Sequence, residues 1–204
     1  MSKTRAKKIK LLLFDVDGVM TDGKLWIFPA YPPLANPAPR PRSGQAPGGA
    51  PSGTLDEIEA KGFHAHDGTA MSLARLGGLK TGLITRRTSE TVALRARDLK
   101  LEYVYQGVIV KIRAFEEILE KEKITAAEVA FVGDDVIDLP IMRRCGFAVA
   151  VANARDEVKE EAHWVTPHAG GEGAIRDVVE YILKAQGRWD PAVKSYLEHG
   201  DALN

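Results

Sequence analysis

The sequence predicts an α/β fold, a Rossmann-like parallel sheet flanked by helices. Three observations carry that prediction. Short apolar runs alternate with amphipathic segments along the chain, the order that builds parallel strands joined by helical crossovers. The apolar runs are nearly continuous rather than alternating in polarity, so both faces of each strand are covered. The chain has 204 residues, 45% of them apolar and 27% charged, enough for a sizeable core in one globular domain.

Taken in order, residues 9–16 are apolar save for Lys10 and Asp15 and read as a buried strand. Two strand-like pieces follow at 24–28 and 54–63. The segment 29–53 between them holds eight of the 11 prolines and neither an acidic residue nor a lysine. Proline removes backbone donors and glycine raises the entropy of ordering, so this segment forms neither helix nor central strand. It reads as a surface-loop insertion, because long loops add little closure entropy. Residues 67–76 place Ala70, Met71, Ala74 and Leu76 at helical spacing, with Asp67 as N-cap and Gly77-Gly78 as the stop. A second buried strand is expected at 79–85, an amphipathic helix at 89–99 and a short strand at 103–105. The helix expected at 111–123 aligns Ile112, Phe115, Ile118 and Leu119 on one face. A strand at 129–133, a helix at 137–144 and a strand at 147–151 come next, then helices at 156–162 and 174–185. The basic start, MSKTRAKKIK, reads as a solvated tail, and 188–204 as a short helix. There is no internal repeat. The expected organisation is a single domain over 1–204, whose hairpin at 24–64 carries the 29–53 insertion.

Lys plus Arg and Asp plus Glu number 28 each, which excludes a generic nucleic-acid binder with its basic excess. The one cysteine, Cys145, cannot form an internal disulfide. No apolar run reaches the ~18 residues of a membrane helix, and the opening residues do not make a signal peptide. A cytoplasmic protein that does not engage membranes is expected.

Ligands of open α/β sheets bind beyond the carboxyl ends of the strands. The first strand delivers Asp15-Val16-Asp17-Gly18 there, the second Thr85, and the fourth Gly133-Asp134-Asp135 with Asp138 one turn on; Lys111 opens the helix after the third. Several carboxylates at one edge repel each other unless a cation compensates. Oxygen ligands alone suit a hard ion such as Mg²⁺ that bridges to phosphate. Asp15 is then the candidate nucleophile, forming an acyl-phosphate, and Asp17 the acid and base. Thr85 and Lys111 would hold the transferring oxygens. A phospho-accepting signalling domain combines similar residues, but carries its acidic pair on the first strand and the phosphorylated aspartate on a later one. A degenerate fold used as a binding module is the other alternative.

These strings resemble those of the haloacid dehalogenase superfamily, the aspartate-nucleophile phosphatases. LLLFDVDGVMTDG looks like the first motif, LITRRTS the second, Lys111 the third and FVGDDVIDLPIM the fourth. TDG, FHAHDG, VYQG and GGEGAIRDVVEYIL narrow the likeness to 3-deoxy-D-manno-octulosonate 8-phosphate phosphatases. The resemblance implies no large cap domain, a β-hairpin flap after the first strand, and a homotetramer in which that hairpin helps cover a neighbouring site. It implies Mg²⁺ held by Asp15, the Asp17 backbone carbonyl and Asp134, with Asp135 or Asp138 in support. The substrate it implies is an acidic sugar phosphate of eight carbons; a nine-carbon one is the alternative. His66, Asp67 and Gly68 fall in a segment it places against substrate, Arg87 matches its arginine near substrate, and Arg176 would reach a sugar carboxylate. His64 and His66 would lie on one side of a strand.

Three positions depart from the pattern. Arg86 stands where the family has glycine, which would cost about 1 kcal/mol or more if φ there were positive. Val110 replaces an aspartate before Lys111, and the 29–53 insertion replaces a tight hairpin turn.

Overall fold

Leu11–Phe14 contains no polar side chain, and all four residues are fully buried. This strand, β1, can therefore sit only in the middle of a sheet covered on both faces. In the computed structural model, which describes residues 2–29 and 57–200, it pairs in parallel with β4 (Lys80–Ile84) on one side and β6 (Val129–Gly133) on the other. Leu13 lies opposite both Gly82 and Phe131. The sheet extends through β5 (Tyr103–Tyr105), β7 (Phe147–Ala150) and β8 (Trp164–Val165), all parallel, in the order β5-β4-β1-β6-β7-β8. The winding reverses between β1 and β6, and the crevice at such a reversal is where doubly wound sheets bind ligands.

The chain packs as two units, residues 1–24 with 61–204 and residues 25–60. The second contains an antiparallel ladder of β2 (Trp26–Pro29) and β3 (Glu57–Ala60), in register from Trp26↔Ala60 to Pro29↔Glu57. The Pro/Gly-rich insertion, from residue 30 on, lies outside the described residues.

In the main unit, helices α2 (Ala65–Leu76), α3 (Glu90–Asp98), α4 (Lys111–Glu122), α5 (Leu139–Met142), α6 (Asp156–Glu161), α7 (Ala174–Ala185) and α8 (Trp189–His199) accompany the sheet. α2 packs on α7 and α8, and Phe14, Phe115, Phe131 and Phe147 fill the core. No helix among the described residues is long and apolar enough to cross a membrane.

Several expectations need correction. The basic start is not a solvated tail. Ser2–Ala6 forms helix α1, Ala6 is fully buried, the Arg5 guanidinium donates to the Gly146 carbonyl, and the Gln186 amide donates to the carbonyls of Ala6 and Ile9. α2 begins at Ala65 rather than at 67, with His64 as N-cap, its Nδ1 accepting from the His66 N–H. His66 is therefore helical, and the pairing of His64 with His66 on one face of a strand does not occur. The helix expected at 137–144 is a 3₁₀ turn over Val136–Asp138 followed by the short α5, because Asp138 turns its carboxylate inward and Pro140 supplies a new helix start. β8 was not expected: two residues carry no readable period.

Candidate active site

Asp15 follows β1, and its N–H bonds to the Val132 carbonyl, continuing the ladder with β6. Its Oδ1 accepts from the Val16 N–H at 2.7 Å and its Oδ2 lies 2.6 Å from Lys111 Nζ. The chain then turns, the N–H groups of Val19, Met20 and Thr21 all bonding to the Val16 carbonyl. Gly18 has φ +88°, and a Cβ there would lie 2.1 Å from Asp134 Oδ2. Glycine is thus required both by the backbone and by the carboxylate facing it.

Thr85 directly follows β4, buried, its N–H on the Tyr105 carbonyl. Lys111 opens α4, a position where the helix dipole disfavours a cation. It is held there by Asp15 and by Asp138 Oδ1 at 2.8 Å. Burial lowers the ammonium's pKa, but Asp138 and Asp15 together outweigh burial and leave it raised. Asp138 is fully buried, and its Oδ2 accepts from the Asp134 N–H at 3.1 Å.

Asp15, Asp134 and Asp138 each offer one oxygen, all within 4.8 Å of one another. Burial first, then the charges of Asp138, Asp15 and Asp135, push the Asp134 carboxyl up to about 7. Asp138 is likewise raised, by burial and then by Asp15, with Lys111 opposing. One ammonium against three carboxylates leaves the cluster short of positive charge. Asp134 Oδ1 is buried without a hydrogen-bond partner. A hard cation fits this donor set, since it would satisfy that oxygen and relieve the repulsion.

Beside the cluster opens a cavity of about 210 Å³, lined by Asp15, Asp17, Thr85, Arg86, Arg87, Asp134, Asp135 and Ile137. Five oxygen-bearing acids and alcohols and two guanidinium groups around so small a space suit a phosphoryl group rather than a whole large ligand.

The comparisons agree with this chemistry. The model of the haloacid dehalogenase-like hydrolase family matches residues 85–178. A 3-deoxy-D-manno-octulosonate 8-phosphate phosphatase from Salmonella typhi is 36% identical over 93% of this chain and 87% of its own length. The chain belongs to the haloacid dehalogenase-like hydrolases. Solved phosphatases of that same description lie close to this hydrolase in structure. The one from Yersinia pestis has a TM-score of 0.76 at 32% identity, covering 93% of this chain and 88% of that one. The one from Moraxella catarrhalis, in complex with magnesium ion, phosphate ion and KDO, has a TM-score of 0.78 at 30% identity, covering 95% and 97%.

The hydrolase's second-motif departure carries no backbone strain. Among the described residues only Lys100 and Lys123 are non-glycine with positive φ, so Arg86 does not incur the expected cost and simply extends its charge along the cavity. Val110 is the N-cap residue of α4 and makes no side-chain cap.

His66, Asp67, Gly68 and Arg176 do not line the cavity. His66 is exposed, its ring edge-on to His64 at 4.8 Å. The Arg176 guanidinium stacks over Trp189 at 4.8 Å and reaches Glu180. Asp67 is buried, its Oδ1 accepting from the Arg176 N–H at 2.8 Å, so that α2 supplies the acceptor that Gly173, the N-cap of α7, cannot. Its Oδ2 has no partner, and burial pushes the carboxyl up to about 6 although the Arg176 N–H works the other way.

That shift has a stability consequence. A carboxyl raised in the folded state opposes folding above its folded pKa, and the opposition fades as pH falls toward the unfolded value. Relative to the natural protein, Asp67→Asn should therefore gain about 2 kcal/mol between roughly pH 4 and pH 7. Urea unfolding at both ends of that range measures it; a difference independent of pH would show that Asp67 stays ionised.

Motif reading did not point to Lys61. Its side chain is completely enclosed and its Nζ pairs with Asp17 Oδ1. The signal was a lysine two residues ahead of FHAHDG, too short a pattern to read without the fold.

Proposed function

We propose that the protein is a Mg²⁺-dependent phosphomonoesterase that hydrolyses 3-deoxy-D-manno-octulosonate 8-phosphate to KDO and phosphate through an aspartyl-phosphate. The observation that carries this reading is Asp15, an oxygen nucleophile at the cavity wall, held by Lys111 beside the acidic cluster. Likeness to relatives described as phosphatases of this sugar supports the substrate.

An Asp15 oxygen attacks phosphorus while Asp17 gives its proton to the departing sugar oxygen; Asp17 then takes a proton from the water that frees phosphate from Asp15. Thr85 and Lys111 hold the phosphoryl oxygens as charge redistributes. Asp15, the Asp17 carbonyl and Asp134 would hold Mg²⁺, with Asp138 in support, and the bound ion would supply charge neutralisation. Arg87, and the more distant His66, Asp67, Gly68 and Arg176, are assigned to the sugar end. A homotetramer would bring such remote groups to a neighbour's site, and Leu25, Trp26, Ile27, Phe28 and Ile58 of the hairpin unit, each roughly half exposed, are the apolar surface it would use. The cytoplasm is the proposed compartment.

A panel of kcat/KM over eight- and nine-carbon ulosonate phosphates tests the substrate. The eight-carbon ester should lead by at least about tenfold, roughly 1.4 kcal/mol of transition-state discrimination, and chelation with EDTA should stop turnover until Mg²⁺ is restored. A nine-carbon ester in first place would transfer the assignment to that sugar.

A further inference from the structure

Six cations gather on the edge of the sheet opposite Asp15. Lys3, Lys7, Lys8, Lys10, Lys184 and Arg188 line one groove of about 870 Å³, in which Glu128 is the one acidic residue. Lys10 precedes β1, Glu128 precedes β6, and residues 184–188 span the end of α7. The groove therefore sits at the amino ends of the strands whose carboxyl ends lead to the acidic cluster. The backbone that bears its lysines is fixed. The Lys7 N–H bonds to the Lys3 carbonyl and the Lys8 N–H to the Arg5 carbonyl, while the Gln186 amide ties the carbonyls of Ala6 and Ile9 to the end of α7. Three of the cations have partners: Lys10 pairs with Glu128, Lys184 with Glu180, and Arg188 donates to the Gly77 carbonyl. Lys3, Lys7 and Lys8 are exposed, and their ammonium groups have no ion pair or hydrogen bond among the described residues. A chain with 28 basic and 28 acidic residues thus holds a local surplus of like charge here, and like charges on one face repel.

We propose that this groove binds a chain of phosphoryl groups, a phosphoanhydride polyanion with several negative charges. Size separates it from the catalytic cavity: about 870 Å³ against about 210 Å³, room for several phosphoryl groups where the other suits one. All but one of the cations are lysines. An ammonium is a compact point charge without the planar fork by which arginine grips a carboxylate, and it suits phosphoryl oxygens that point in many directions. No aromatic side chain lines the groove among the described residues, so nothing there stacks a base. Its apolar lining residues, Ile9 and Ala185, are only 2% and 8% exposed, so nothing there enters a lipid layer. A bound polyanion relieves the repulsion among the lysines and so stabilises the folded chain. The site involves no turnover and does not depend on the phosphatase reading.

Tripolyphosphate is the probe, titrated calorimetrically into the full chain at constant free Mg²⁺. Raising NaCl from about 0.05 M to about 0.5 M should weaken its binding at least about tenfold as screening tightens. Lys3→Gln, Lys7→Gln and Lys8→Gln combined should weaken it about 25-fold, roughly threefold for each exposed cation. The same three positions changed to arginine should hold the affinity within about threefold, because the charge is kept. Without the probe both triple variants should melt with the natural protein, since the three side chains are exposed and unpaired; with it, only the glutamine variant should fail to gain in Tm. Unchanged affinity in the glutamine variant would overturn the proposal by placing the anion elsewhere, the catalytic cavity included. Absence of binding at about 1 mM tripolyphosphate would refute it as well. ATP carries the same phosphoryl chain on a nucleoside and should bind within about threefold of tripolyphosphate; a preference for ATP of about tenfold or more would show that a base is read and would count against the assignment. Vesicles of phosphatidylglycerol and phosphatidylcholine in equal parts should not sediment the protein. Capture on them that tripolyphosphate fails to release would make the groove a membrane face instead.

Discussion

Asp15→Asn should lose at least about 10³-fold in kcat, the scale on which removing a covalent nucleophile is felt. Asparagine is nearly the same size, and its amide oxygen can still accept from the Val16 N–H that now bonds Asp15 Oδ1. The amide nitrogen, however, can neither attack phosphorus nor accept from Lys111. Lys111 keeps Asp138 at 2.8 Å, so the ammonium remains paired and the fold remains intact. Loss of turnover should therefore come with an unchanged circular dichroism spectrum and a weaker response of stability to Mg²⁺, since one proposed donor to the ion would have become neutral. The same substitution separates the alternatives: a phospho-accepting domain using a later aspartate would still take up phosphate. Retention of more than about a tenth of natural activity would remove Asp15 from the nucleophile's place.

Lys111→Met should damage both stability and rate. Methionine fills the same channel of space but leaves Asp15, Asp134 and Asp138 facing each other without the one ammonium among them. Removing one partner from a buried ion pair costs about 3–5 kcal/mol. In the natural protein without metal, burial and like charge already push Asp134 up to about 7 and raise Asp138. Without Lys111 both rise further. For carboxyls raised above their unfolded values the opposition to folding is greatest at high pH and is relieved as protons bind. The variant's deficit in EDTA should therefore be largest near pH 8 and shrink toward pH 5, and Mg²⁺ should repair more of it than it adds to the natural protein. kcat should fall about 10²–10³-fold even with Mg²⁺ saturating, if the ammonium also holds a phosphoryl oxygen as proposed. Urea unfolding at two pH values, with and without Mg²⁺, reads the first effect and steady-state kinetics the second; equal stability in EDTA at pH 8 would refute the charge argument.

The fold was legible wherever an element was long and buried on both faces. The strand at 129–133 and the helix at 174–185 fall where the sequence places them, because continuous apolar runs and a 3.6-residue period have few other solutions. Legibility failed where a side chain serves something other than its own element. Asp138 bonds to the backbone of Asp134 and to Lys111, and the expected helix around it breaks into two short turns. His64 caps a helix that sequence begins later, and Asp67, expected as that cap, supplies an acceptor to another helix altogether. Of the candidate site, Asp15, Asp17, Thr85, Arg87 and Asp134 meet at one cavity, with Lys111 and Asp138 packed behind it. Motif order placed them, since Asp15, Thr85 and Asp134 directly follow strands and Lys111 and Asp138 lie in the first helical turns after two of them. Lys61 escaped notice because it reaches the site from the return of a hairpin, a connection that no strand-end rule describes.

That hairpin return bears on how freely the protein can change in length. The ladder of β2 and β3 closes at Trp26↔Ala60, one residue before Lys61. Pro29 and Glu57 pair at the open end of this ladder, a doorway framed by backbone pairing, and doubling the number of residues joined across it would add only about 0.6 kcal/mol of closure entropy. Lineages could lengthen, shorten or recompose this segment without displacing the lysine that follows it. The same doorway is where an affinity tag or a fluorescent reporter could be spliced into the chain.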